Sequence, residues 1–172
     1  MRVGYRVRQF LDKLRAQRPV EEAALEPYLN QAQVRLFRSM PASEQRHAFA
    51  VWRTLQDTGR GETALAQAAL LHDVGKTKAR VGLVPRVIKV LLQAVNPALL
   101  PRLAREEPGH WRYPFFVLLH HAAYSAEMAE EAGTEALALQ LIRWHETAPG
   151  ETNLDPAGQA LLSALQRADN EN

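Results

Sequence analysis

The sequence predicts an all-α fold, a compact helical bundle of about six to eight helices. Three observations carry this. Apolar residues recur at helical spacing, as in Ala48, Val51, Trp52 and Leu55. Stretches rich in Ala and Leu, the strongest helix formers, are punctuated by Gly and Pro where helices stop and start. Strand-like alternation is scarce. With 172 residues, 47% of them hydrophobic and 23% charged, the chain is expected to form one domain, residues 1–172, with a substantial core.

Residues 1–42 form an N-terminal helical extension, in which 3–17 and 20–38 are amphipathic candidates divided by Pro19. In "SEQRHAFAVWRTLQDTG" Ser43 is the expected N-cap and Gly59 the expected stop. "ETALAQAALLHDVG" is a helix running towards Gly75. Residues 81–113 are an insert or flap, which prolines such as Pro85, Pro97 and Pro101 break into short helices at most. Its apolar residues beside Arg and Lys fit a flap over a site, additional core or a membrane-surface patch. The interrupted periodicity argues against the last. "YPFFVLLHHAAYSAEMAEEAG" begins after Pro114 and closes at Gly133. "TEALALQLIRWHET" opens at Thr134 and stops before Pro149, and "PAGQALLSALQRADN" is the final helix, with Asp155 as a turn or N-cap residue. No internal repeat or low-complexity tract interrupts the series.

There are no cysteines, which excludes disulfides and thiolate metal sites. Any metal must be held by imidazole and carboxylate. No apolar run has the length of a signal peptide or of a membrane span, so the expected location is the cytoplasm. The net charge of +2 is unevenly spread: seven basic and no acidic residues lie between Lys76 and Arg105, whereas nine acidic and two basic ones follow from His121 onward. This pattern fits two oppositely charged solvated faces, or a basic rim that attracts an anionic substrate. No nucleic-acid-binding motif accompanies the charge. There is also no G-x-S-x-G elbow and no Gly-rich phosphate loop.

The histidines fall on separate predicted helices: His47 on the first long one, His72 beside Asp73 at the end of the next, His120 and His121 on the Pro114 helix, and His145 on the one after. Asp169 lies near the end of the last. Inward side chains from facing helices are how bundles build metal sites. Imidazole plus carboxylate suits divalent Mn, Fe, Ni, Co or Zn. Neighbours on a helix point ~100° apart, and a carboxylate has two oxygens, so His72-Asp73 suits a dinuclear centre with Asp73 between the ions. His110 is expected at the surface, and Arg46 and Arg53 in solvent.

With "HDVGK" flanked by "RHAFAVWRTL", "HHAAYSAEMAEEAG", "LIRWHET" and "LQRADN", residues 43–170 resemble the HD-domain superfamily, metal-dependent phosphohydrolases with an all-α core. The resemblance implies a first metal held by His47, His72, Asp73 and Asp169. It implies a second held by His121 and His145, with Asp73 bridging and acting in catalysis. Trp144 stands where many relatives carry a further histidine, so one ligand is absent unless His120 substitutes, and Tyr124-Ser125-Ala126 replaces a usual glycine. Lys76 is implied as a catalytic phosphate contact, lying on the same side as His72 if the helix continues, and Lys78 and Arg80 extend the charge towards substrate. The implied activity is hydrolysis of a phosphate ester or anhydride in a nucleotide or related small anion. Two other classes stay open: a di-iron oxygenase on the same fold, and a non-catalytic signalling or binding module. The N-terminal helix, with Val3, Val7, Phe10, Leu11 and Leu14, packs on the core or on a second subunit, which leaves a homodimer open.

Overall fold

The computed structural model describes Val20 and residues 22–172 apart from Arg80 and Pro97. The expected helix over 3–17 and the side chain of Arg80 lie outside the described residues. Within them the chain is all-α. The helices are α1 (Gln31–Arg38), α2 (Ala42–Asp57), α3 (Thr63–Leu71), α4 (Leu83–Val95), α5 (Leu99–Leu103), α6 (Tyr113–Glu131), α7 (Ala136–Trp144) and α8 (Pro156–Glu171). Short 3-10 turns occupy Glu22–Ala24, Val74–Lys78 and Pro149–Glu151.

Several boundaries differ from the sequence expectation, each for a local reason. Residues 20–38 do not form one helix. The chain turns through Pro27, and Asn30 starts α1 afresh by accepting from the backbone N–H of Ala32 and Gln33, while the Gln33 side chain caps the Asn30 N–H. Ser43 is not the N-cap of α2. The Pro41 carbonyl already accepts from Glu44 and Gln45, so Ser43 sits inside the first turn. Gly59, with φ +76°, ends α2 as expected. Asp155 caps α8, its Oδ1 accepting from the Gly158 N–H at 2.7 Å.

The segment 81–113 departs most. Pro85 falls in the first turn of α4, where its missing N–H costs nothing, so α4 runs unbroken for 13 residues. Only α5, of five residues, is as short as expected.

α3 is the central helix, with every residue from Ala64 to Leu71 buried and α2, α7 and α8 packed around it. Phe37, Phe49, Trp52 and Leu55 close the core on one side, and Leu141, Ile142, Leu162 and Leu165 on the other. Burying each such side chain contributes about 1.5–3 kcal/mol. α3 stops at Leu71, and the chain then enters the 3-10 turn Val74–Lys78, which lies directly on α6. That approach depends on Gly75. A Cβ there would stand 2.3 Å from the His121 carbonyl oxygen and 2.7 Å from the Ser125 nitrogen. The Gly75 N–H donates to Ser125 Oγ at 2.8 Å, which locks the turn onto the helix.

Candidate metal centre

Three histidines reach the centre by the same local device. The Nδ1–H of His72, at the end of α3, donates to the Ala69 carbonyl at 2.9 Å. The Nδ1–H of His145, at the end of α7, donates to the Ile142 carbonyl at 2.7 Å, and that of His121, within α6, to the Leu118 carbonyl at 3.0 Å. A carbonyl can only accept, so the proton of each neutral ring sits on Nδ1 and each Nε2 presents a lone pair. For His72 and His145 the accepting carbonyl lies in the last turn of a helix. The C-termini of α3 and α7, the negative ends of their dipoles, therefore both meet the centre, a field that favours a cation.

The Nε2 atoms converge. The rings of His47, His72, His145 and His121 form a continuous series of edge-to-face neighbours, with centroids 5.5, 5.1 and 5.0 Å apart in turn. His47 Nε2 lies 2.8 Å from Asp169 Oδ1 and 3.8 Å from Asp73 Oδ2. His72 Nε2 is 3.5 Å from Asp169 Oδ1 and 3.6 Å from Asp73 Oδ2. On the other side of the carboxylate, Asp73 Oδ1 is 3.3 Å from His121 Nε2, which is 3.2 Å from His145 Nε2. Donor atoms bound to one ion at ~2.0–2.2 Å stand roughly 3.0–3.4 Å apart, and these separations bracket that range. Two sets of donors can thus hold a metal ion: His47, His72 and Asp73, and Asp73, His121 and His145. Asp169 borders the first set. Asp73 faces the first with Oδ2 and the second with Oδ1.

The protein alone does not satisfy these atoms. His72 Nε2 is buried and makes no hydrogen bond, although unpaired buried polar atoms are rare in folded proteins. His121 and His145 aim two lone pairs at each other, which is repulsive unless a proton or a cation lies between them. Four imidazole nitrogens and two carboxylates fit a divalent transition metal. No family model, no curated protein and no solved structure matches this chain.

Charge is tightly arranged around the donors. Burial works against ionising Asp73, but Lys76 and His72 hold its carboxyl well below the usual carboxylate range. Lys76 Nζ lies 2.5 Å from Asp73 Oδ2 and 3.4 Å from Oε2 of the buried Glu44. Burial likewise opposes the Asp169 carboxylate, but His47 and His72 hold its pKa low. Burial also opposes charge on His72; the Asp73 and Asp169 carboxylates outweigh it and raise its pKa to about 9. In His145, burial and the neighbouring His72 and His121 lower the pKa to about 4.

The remaining candidates are placed as follows. α3 does not continue beyond Leu71, so Lys76 reaches Asp73 from a 3-10 turn rather than by helical spacing from His72. Lys78 is exposed, its Nζ 5.8 Å from the Tyr124 ring centroid. His120 is exposed and packs against Phe116, with centroids 4.3 Å apart. The rotation of one residue along α6 carries it away from His121. His110 accepts from the Arg112 N–H in the loop before α6. Trp144 is half-buried against the core.

Four residues beside the centre were not among the site candidates of the sequence. Glu44 flanks Lys76, and Ser125 anchors Gly75. Gln166 donates to the His145 and Thr147 carbonyls at 3.0 and 2.6 Å, tying α8 to the end of α7 one turn before Asp169. Glu146 accepts from Lys89 Nζ at 2.7 Å and has Oε2 3.8 Å from His121 Nδ1. A cavity of about 530 Å³, bordered by His145, Glu146, Thr147, Gln166, Asp169 and Asn170, opens beside the donors.

Proposed function

We propose that this chain is a divalent-metal-dependent phosphohydrolase of the HD-domain type, which cleaves a phosphate ester or anhydride in a nucleotide or a related small anion. The observation that carries the reading is the sharing of Asp73 between two groups of imidazole nitrogens, among which His72 Nε2 is buried without a hydrogen bond and the Nε2 atoms of His121 and His145 face each other at 3.2 Å. The resemblance of "HDVGK" and its flanking segments supports the same assignment. His47, His72, Asp73 and Asp169 would hold one ion, and Asp73, His121 and His145 the other. Ions so held supply Lewis acidity, acidifying water and neutralising charge that builds on phosphoryl oxygens.

The chain's own residues set up the rest. The three Nδ1–H bonds to backbone carbonyls fix the ring orientations of His72, His121 and His145 before loading. Lys76, held between Asp73 and Glu44, brings a positive charge to the edge of the centre, where it can steady a phosphoryl oxygen. The cavity beside His145 and Asp169 admits a small substrate, lined by the hydrogen-bonding side chains of Thr147, Gln166 and Asn170.

A turnover screen tests the proposal. Tag-free protein supplied with Mn, Co, Ni or Zn is incubated with nucleotides, cyclic dinucleotides and a chromogenic phosphodiester, beside its Asp73→Asn variant. Metal-dependent release of phosphate or alcohol by the wild type, lost in the variant, is the expected result. Iron-bound protein with oxygen-dependent turnover would instead make it an oxygenase. Bound metal without turnover on any of these substrates would leave a binding module.

A further inference from the structure

His121 differs from the two other rings that donate Nδ1–H to a backbone carbonyl. Among the described residues it alone of the three also has a carboxylate beside Nδ1, the Oε2 of Glu146 at 3.8 Å. The Glu146 side chain is 42% exposed and borders the cavity, so it stays beside a buried ring only if a partner holds it there. That partner is Lys89. Its Nζ donates to Glu146 Oε1 at 2.7 Å and lies 3.5 Å from the Leu118 carbonyl, the same oxygen that accepts from His121 at 3.0 Å. One ammonium thus touches both groups that face the His121 Nδ1–H.

Lys89 comes from α4, in the segment 81–113. Neither α4 nor any other described helix is long and apolar enough to cross a membrane. A surface helix ordinarily turns its apolar residues inward and its lysines out. In α4 the Lys89 side chain is only 14% exposed, whereas Val84 and Val95 stand in water. Burial of apolar surface alone does not explain that orientation, and the pairing with Glu146 accounts for the inward lysine.

The donor set nearest to Glu146 is also the poorer one. His47, His72 and Asp73 have Asp169 at their border, whereas Asp73, His121 and His145 are three. His120, the candidate for a further donor, is exposed against Phe116. A carboxylate near the Nδ1–H of a ligand imidazole stabilises the positive charge that an ion induces on the ring and makes Nε2 the stronger base. Removing such a partner typically lowers metal affinity by roughly 10–100-fold.

We propose that Glu146 and Lys89 are positioning residues for the ion held by Asp73, His121 and His145. Glu146 strengthens His121 Nε2 as a donor, and Lys89 keeps Glu146 in place. The inference rests on the reading of this centre as a metal site. It gives α4 a part in that site, because Lys89 acts on the ion through Glu146 and His121 without touching it.

The test is titration of the full, tag-free, metal-stripped chain with Co(II), followed by visible absorption and by metal content per chain. A His47→Ala background leaves the set Asp73, His121 and His145 intact, and a His145→Ala background leaves the other. Glu146→Gln removes the charge and keeps the shape. It is expected to weaken Co(II) binding at least about tenfold in the His47→Ala background and to leave it unchanged in the His145→Ala background. Lys89→Met, a change on a helix that bears no donor, is expected to show the same selectivity. Helix content by circular dichroism is expected to be that of the parent in each case. Either variant binding as tightly as its His47→Ala parent overturns the proposal. So does an equal loss in both backgrounds, which is what a merely structural role gives. A wild-type chain that binds no Co(II) overturns the metal reading itself and this proposal with it, so the two failures are told apart.

Discussion

His121 Nε2 and His145 Nε2 lie 3.2 Å apart, although the Nδ1 proton of each ring is committed to a backbone carbonyl. Two neutral imidazoles in that arrangement confront each other with lone pairs, and both rings are buried. Burial and its histidine neighbours lower the pKa of His145 to about 4, so His145 does not carry a second proton there near neutral pH. A cation held by these donors would resolve the conflict, and Asp73 Oδ1 at 3.3 Å from His121 Nε2 completes the set that could hold it.

The two donor groups are separable. His145→Ala and His121→Ala are expected to lose the ion between those rings and retain the one near His47. His47→Ala is expected to do the opposite, and Asp73→Ala, which removes a donor from both, to lose the most. Metal content of each variant by elemental mass spectrometry checks the pattern.

Metal uptake at this centre is expected to release protons in a defined pH window. Without metal, His72 holds its proton up to about pH 9, and an ion can bind Nε2 only after that proton leaves. Loading near pH 7.5 is therefore expected to release about one proton through His72, and the release is expected to fade as pH passes about 9. Calorimetric titration in two buffers of different ionisation enthalpy measures it. Because its folded pKa is raised above the ordinary 6.5, His72 contributes stability to the metal-free protein below that pH and loses it as pH rises through about 9. His145, with its pKa lowered to about 4, acts in the opposite sense: keeping it neutral costs stability as pH falls from 6.5 towards 4.

The contact between the 3-10 turn and α6 is tight enough to be tested by one methyl group. Gly75→Ala would place a Cβ 2.3 Å from the His121 carbonyl oxygen. It is expected to destabilise by about 1–3 kcal/mol, by overpacking, and to lower metal content because Asp73 and His121 move apart. Ser125→Ala leaves the buried Gly75 N–H without its acceptor, at a cost of about 1–3 kcal/mol. Denaturant unfolding of both variants gives the values.

Lys76 is expected to matter to turnover more than to metal binding. Lys76→Met keeps the bulk of the chain and removes the charge beside Asp73. A loss of about 10²-fold in kcat with metal content retained is the expected result, from steady-state kinetics on a phosphodiester. An equal loss of bound metal would mean that Lys76 serves only to hold Asp73.

Helical periodicity made the fold class legible, and the set His47, His72, Asp73, His121, His145 and Asp169, which the structure brings together, was legible through the resemblance of "HDVGK" and its flanking segments. The sequence did not reveal how α3 ends. The expected helical alignment of Lys76 with His72 fails because the chain leaves the α-helix after Leu71, and a glycine that touches α6 has no mark distinguishing it from one that stops a helix. Ser43 looked like a cap because only its residue type was visible, whereas Pro41 already supplies the first carbonyl. Pro85 looked like a breaker, but in a first turn it breaks nothing. Glu44, Ser125, Glu146 and Gln166 find their partners across the bundle, at separations that no local pattern encodes. The inward turn of Lys89 is likewise set by Glu146, 57 residues away.

The most direct measurement is the metal content of the wild-type chain purified without chelator and without a histidine tag, beside the Asp73→Ala variant. Two divalent ions per chain in the wild type, and a marked loss in the variant, are the predicted result. A wild-type chain that holds no divalent ion after exposure to Mn, Co, Ni, Fe and Zn, or a variant that holds as much as the wild type, would contradict the account.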